Sequence, residues 1–183
     1  MSQNLVCGID EAGRGPVIGP LVLGCALFDE VGREKLLKMR VRDSKKLSPK
    51  RREELEPLVK EAAVEWRVAH IQATEIDRLR KTMSLNVIEA QRTAQLILSL
   101  KYTPSKILID AADTVEANYR RKIIESLAAL NPEYKMPEII AEHKADDTYP
   151  EVSAASILAK VERDRCIQQL KAYYGEFGSG YPA

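Results

Sequence analysis

Between residues 5 and 28 the sequence places two apolar runs, LVCGID and VIGPLVLGCALF, on either side of a GRGP turn signature. Short apolar runs bounded by Gly and Pro read as strands joined by a turn. A chain that opens on two adjoining strands must build a sheet around them, because a two-stranded ribbon alone is marginal in water. The downstream segments supply the remaining strands and the helices to cover them. Residues 31–40 look helical, and Ser48-Pro49 offers a cap and a first-position proline for a helix to about residue 62. In 63–71, Val64, Trp66 and Val68 alternate with Glu65 and Arg67, the period of a half-buried strand. A short helix is expected over 74–80 with Thr74 as its cap. Ser84 is expected to cap a longer one, in which Val87, Ile88, Ala94, Ile97 and Leu98 recur at helical spacing. KILID (106–110) and EIIAEH (138–143) read as short strands, 116–130 as an amphipathic helix stopped by Asn131-Pro132, and Ser153 to about Lys171 as the last helix. Strands alternating with helices imply right-handed crossovers and parallel pairing. The expected fold is α/β: a mixed five-stranded sheet, an antiparallel N-terminal meander followed by parallel βαβ units, flanked by helices in one domain over 1–183.

Composition narrows the class. With 45% hydrophobic and 30% charged residues in 183, a packed core is available and disorder is excluded as the main theme. No run approaches a membrane span, and the N-terminus lacks the basic-then-apolar order of a signal peptide. Cys7, Cys25 and Cys166 are far apart with no CxxC, which suggests neither a disulfide framework nor a zinc site. A cytoplasmic location without membrane association is expected. Net charge is +1, but residues 33–52 carry ten basic side chains against Glu34 and Asp43, so this segment is +8 and the remainder −7. Such a cluster either attracts a polyanion or forms a solvated face.

Chemistry concentrates at strand ends. Asp10-Glu11 closes the first strand, Asp110 closes KILID, and Asp146 follows EIIAEH by a few residues. Any one of these is an ordinary helix cap or turn former. Three strands delivering carboxylates to one edge is a different matter, because clustered carboxylates repel unless they share protons or bind cations. All-oxygen donors suit Mg²⁺ or Mn²⁺. One geometric difficulty stands: neighbouring strand residues point to opposite faces, so Asp10 and Glu11 reach one site only if the pleat breaks near Glu11, as the following GRG turn would allow.

The segment GIDEAGRGPVIGP contains Gly8, Gly13, Gly15 and Gly19 and could bring backbone N–H groups close to a ligand, with Arg14 adding charge; a plain hairpin connection is the alternative. It is neither a Walker loop nor GxGxxG. In VSAASILAKVERD, Ser153, Ser156, Lys160 and Arg163 form one stripe at spacings of three and four, suited to a phosphate backbone or to solvent. Tyr181, in FGSGYP, could stack on a base or sugar, or simply pack.

Taken together, GIDEAGRGPVIGPLV, DSKKLSPKRREEL, ILIDAAD, HKADDTYPEVSAASILAKVERD and YGEFGSGYP closely resemble ribonuclease HII, and the last two look most like its archaeal members. The resemblance spans residues 8 to 182 in family order. It implies the ribonuclease H fold, with Asp10, Glu11, Asp110 and Asp146 as catalytic, metal-holding acids, and it passes over the neighbours Asp113 and Asp147. It also implies that Gly13, Arg14 and Gly15 contact the 2′-hydroxyl region of a ribonucleotide and that Tyr181 stacks on the following sugar. Phosphate contacts from Lys46, Ser153 and Lys160 follow as weaker transfers. Two divalent ions, Mg²⁺ or Mn²⁺, would serve hydrolysis of the RNA strand of RNA–DNA hybrids and cleavage 5′ to single ribonucleotides in duplex DNA, leaving 3′-hydroxyl and 5′-phosphate ends. The expected protein is a monomer whose substrates are those duplexes, with a sliding clamp as the candidate protein partner. The family generally continues past GSGYP into a C-terminal helical segment, whereas this sequence stops at Ala183. A junction resolvase or transposase-like nuclease of the same fold, and a non-catalytic nucleic-acid-binding module using residues 33–52, are the rival readings.

Overall fold

The computed structural model describes residues 4–16, 18–41 and 47–180. Its five strands are β1 (Val6–Ala12), β2 (Leu21–Phe28), β3 (Glu65–Ile71), β4 (Lys106–Asp110) and β5 (Glu138–Glu142), in the sheet order β3-β2-β1-β4-β5. β1 pairs antiparallel with β2 and β2 with β3, while β4 lies parallel to β1 and β5 parallel to β4. The expected meander and βαβ units are thus both present. The two parallel pairings bring the carboxyl ends of β1, β4 and β5 to one rim.

Seven helices are described: α1 (Glu30–Met39), α2 (Pro49–Ala62), α3 (Ala73–Leu79), α4 (Leu85–Leu98), α5 (Glu116–Leu130), α6 (Ala145–Thr148) and α7 (Pro150–Tyr174). Ser48 caps α2 as expected, its side chain accepting from the Arg51 amide at 3.2 Å with Pro49 at the first position. The expected Thr74 cap is displaced: α3 begins at Ala73 behind Gln72. Helix α6 was not expected, and α7 begins at Pro150 rather than Ser153, because the proline starts a helix before the first small residues do.

The alternation of β1 sorts the two faces. Cys7 and Ile9 join Ile88, Ala94, Tyr119 and Ile123 of α4 and α5 in the larger core. Val6, Gly8, Asp10 and Ala12 face α7. That helix crosses the sheet so closely that a Cβ on Gly8 would lie 2.0 Å from the Glu151 carbonyl oxygen, and one on Gly24 would lie 2.3 Å from that of Ala155. Glycine is required at both crossings, and Ala154, Ala155 and Ala159 keep the facing helix surface thin. The stripe Ser153, Ser156 and Arg163 therefore does not face solvent or a phosphate backbone: all three are buried against the protein, and Lys160 is half-buried. The polar stripe is the inner face of a helix packed too tightly for large apolar side chains.

Candidate active site

Asp10 and Asp110 lie on adjacent parallel strands, each one step beyond the paired Ile9 and Ile109; Asp110 closes β4, whereas β1 runs on to Ala12. Both belong to the set of positions that faces α7. Asp10 is buried, its Oδ1 accepts from the Glu11 amide at 2.7 Å, and it is hydrogen-bonded by Ser156. Burial and then the charge of Asp110 push its carboxyl up from 3.8 to about 7, against the opposing pull of Ser156, the Glu11 amide and Lys160. Asp110 Oδ1 accepts from the Ala145 amide at 2.8 Å, which ties the end of β4 to the first turn of α6, where Asp146 is fully buried. A left-handed Lys144 (φ 56°) makes the bend that carries the chain from β5 into that turn.

Glu11 behaves differently. β1 stays regular through Ala12, with Asp10 opposite Gly24 and Glu11 opposite Leu23, so the pleat does not break and Glu11 faces α4. The break expected at this residue is absent because the turn begins later, at Gly13, whose φ of 99° only glycine adopts easily. On this side Glu11 meets Glu89, buried inside α4, and Arg14. The Arg14 Nε donates to Glu89 Oε1 at 2.9 Å and lies 3.6 Å from Glu11 Oε1, and its Nη2 donates to Asn86 Oδ1 at 2.5 Å. Burial first, then Glu89 and Asp10, raises the Glu11 carboxyl well above its ordinary value; burial raises Glu89 too, with Arg14 opposing both. The second oxygen, Glu89 Oε2, is buried and makes no hydrogen bond among the described residues.

Sequence reasoning missed Glu89 and Asn86. The available signal was a charge inside the buried arc of α4, four residues before the buried Thr93 and seven before Leu96. Asn86, one turn earlier, holds both Arg14 and Asp113. Asp113, which the resemblance passed over, is engaged by Lys122 and Asn86, and these hold its carboxyl below the usual range. Ser153 does not point into the site. Its hydroxyl donates to the Val41 carbonyl and is used inside the protein. Gly13, Arg14 and Gly15 sit at the rim, with Arg14 and Gly15 exposed. Lys46 and Tyr181 lie outside the described residues.

The carboxylates on the α7 side are all-oxygen donors, crowded enough that burial and the charge of Asp110 outweigh the hydroxyl, amide and Lys160 around Asp10. Such a set is suited to hard divalent cations, which relieve the repulsion.

A mixed sheet of this order with acids at the ends of its parallel strands defines a ribonuclease H-like nuclease. The Ribonuclease HII family profile matches residues 7–183. The chain is 49% identical over 176 residues to the Ribonuclease HII of Pyrococcus furiosus, covering 96% of this chain and 75% of that one. Its structure superposes on the ribonuclease H2 of Pyrococcus horikoshii with a TM-score of 0.87 at 45% identity, covering 98% of this chain and 81% of that one. It also superposes, at 0.86 and 39% identity, on the RNase HII of Archaeoglobus fulgidus solved as a complex with PCNA, with 97% and 80% covered. The chain belongs to the ribonuclease HII family. It is accordingly a hydrolase, an endonuclease of the ribonuclease H type that cuts the RNA strand of RNA–DNA hybrids with divalent metals.

Proposed function

We propose that this enzyme cleaves 5′ to single ribonucleotides embedded in duplex DNA as well as within hybrids, leaving 3′-hydroxyl and 5′-phosphate ends. The observation that carries the site assignment is the placement of Asp10 and Asp110 on adjacent parallel strands, each one step beyond the paired Ile9 and Ile109, with Asp10 pushed up to about 7. Asp10, Asp110 and Asp146 would hold two divalent ions, Mg²⁺ or Mn²⁺, while Glu11, across the strand on the α4 side, would act on them through its charge. When bound, these ions activate a water for in-line attack and stabilise the departing 3′-oxygen. The chain's own residues set the stage for that displacement. Ser156 and the Glu11 amide fix the rotamer of Asp10, and the Ala145 amide fixes Asp110. Arg14, held by Glu89 and Asn86, keeps the Gly13-Arg14-Gly15 turn rigid enough to read a 2′-hydroxyl, the group that separates RNA from DNA at one nucleotide. Tyr181 would stack on the following sugar, and Lys160 and Lys46 would meet phosphates. Because the nucleophile is external water, the 2′-hydroxyl remains available for recognition.

The test compares two labelled duplexes that differ by one embedded ribonucleotide, each with Mg²⁺ or with chelator. A single cut on the 5′ side of the ribonucleotide, abolished by chelator, is expected. Cutting of four-way junctions lacking any ribonucleotide would favour the resolvase reading instead, and chelator-insensitive binding without cleavage the binding-module reading. A sliding clamp is proposed as partner on the strength of the Archaeoglobus relative, with co-elution of the two purified proteins as its check. We place the enzyme in the cytoplasm, where a nucleic-acid-processing ribonuclease H would meet its substrates.

A further inference from the structure

Away from the carboxylates, β3 and α7 bring together a second set of donors. His70 lies on the edge strand of the sheet, in register with Val22. Glu162 and Cys166 are four residues apart on α7, so they share one face of the helix. The imidazole nitrogen, a carboxylate oxygen and the thiol sulfur all lie within 4.8 Å of one another, and His70 Nε2 is 3.0 Å from Glu162 Oε1. His70 is exposed, and the other two are half-buried.

We propose that His70, Glu162 and Cys166 form a binding site for a borderline-soft divalent cation, with zinc the best match. One nitrogen, one oxygen and one sulfur donor are the zinc ligand types. With bonds near 2.0–2.3 Å, tetrahedral donors stand about 3.4–3.6 Å apart, a separation that side-chain rotation alone reaches from the present arrangement. Three protein ligands leave the fourth position to water, and the exposure of His70 gives the cation a way in. Burial and the charge of Glu162 push the Cys166 thiol up, the opposite of what an activated nucleophile needs. A bound cation would supply the positive charge that ionises it. Glu162 has a competing partner in Arg165 at 3.7 Å, but that guanidinium is engaged by Glu56 at 2.7 Å and leaves Oε1 to the site.

The site differs in kind from the acidic rim: a thiolate and an imidazole select zinc or cobalt over Mg²⁺. Its effect would be to clamp the free edge strand of the sheet to α7. Spacing along the chain could not reveal it, since His70 and Glu162 are 92 residues apart.

The experiment is a Co²⁺ titration of the full chain in excess Mg²⁺, which occupies the carboxylate rim. One equivalent of Co²⁺ is expected to give a thiolate-to-cobalt charge-transfer band, displaced by Zn²⁺ and lost in Cys166→Ser. His70→Ala should weaken binding about ten-fold or more, since even groups that only orient a metal ligand matter by 10–100-fold. Zn²⁺ should raise the melting temperature of the unmodified protein but not of His70→Ala. A band that survives Cys166→Ser, an affinity unchanged by His70→Ala, or no thiolate band at all would each overturn the proposal. His70→Ala changes an exposed side chain and tests the site independently of any folding defect in Cys166→Ser.

Discussion

At the carboxyl end of β1, two successive acids meet two different environments. Toward α7, Asp10 sits beside Asp110 with a serine hydroxyl, a backbone amide and Lys160 set against their charge, and the carboxyl remains near 7. Toward α4, Glu11 and Glu89 face a guanidinium lying within 3.6 Å of one and 2.9 Å of the other, which Asn86 also grips. Both sides bury more negative charge than they neutralise. They differ in how it is met: on the α4 side one guanidinium is gripped between the two acids, and on the α7 side Lys160, Ser156 and a backbone amide leave the carboxyl of Asp10 raised to about 7. The contrast separates a place that anchors the GRG turn from the place proposed to take metal.

The largest expected effect breaks the α7 side directly. Asp10→Asn should lower cleavage by about 10³-fold or more while the melting curve stays cooperative, because the shape is kept and the ligand charge is not. Near-normal turnover with intact fold would remove Asp10 from the metal site. Without metal the same substitution should help the protein. Asp10 titrates at about 7 folded against 3.8 as a free group, so the folded state holds the extra proton between these values and stability falls as pH rises through that window. Above pH 7 the penalty is complete, up to roughly 4 kcal/mol. Metal-free Asp10→Asn should therefore gain over the parent at pH 8 and lose that advantage at pH 4; equal denaturant midpoints at pH 8 would show that Asp10 is not strained.

Next comes recognition, which belongs to neither acid cluster. Tyr181→Ala should lower cleavage at a lone ribonucleotide by about 10²-fold through misplacement of the scissile phosphate, with metal binding by calorimetry unchanged. Loss of metal affinity would move Tyr181 into the support of the carboxylates, and full activity would leave GSGYP without a substrate role. The smallest effect converts the α4 side into a likeness of the other. Arg14→Ala leaves Glu11 and Glu89 without their cation and should cost about 1–2 kcal/mol at pH 8, less than a fully buried pair because the guanidinium is partly exposed. Both carboxyls are raised in the folded state, so the loss should shrink toward pH 5, where they carry protons. A pH-independent loss would mean that Arg14 contributes packing only.

The fold was legible because its signals are local and periodic: alternation in β3, the Ser48-Pro49 start of α2, and apolar strand cores that end in acids. Of the rim carboxylates Asp110 marks where its strand stops, whereas β1 runs past Asp10 and Glu11 to Ala12 and Asp146 lies in α6. What escaped depends on packing between distant segments. Ser153, Ser156 and Arg163 have the spacing of a solvated stripe, and the close seating of α7 on Gly8 and Gly24, with Arg163 against Gly13, turns it inward. Glu89 was hidden because a glutamate in a helix reads as surface until its partner, Arg14, arrives from 75 residues away. The direction of Glu11 could have been settled by the strand period alone, had the strand been carried two residues further.

The two bare glycines also make α7 a lever. The helix is 25 residues long, roughly 37 Å, and rests at Glu151–Val152 on Gly8 and near Ala155–Ala159 on Gly24. Raising the first support by about 1 Å while the second acts as fulcrum would swing Ile167 by roughly 2 Å the other way, given the 1.5 Å rise per residue. Ile167 and Arg163 are what Gly19 and Gly180 lie against, beneath the loop that leads from the GRG turn into β2. A methyl group added under the first turn of α7 would thus be felt less where it sits than at the opposite end, as a tilt delivered to that loop.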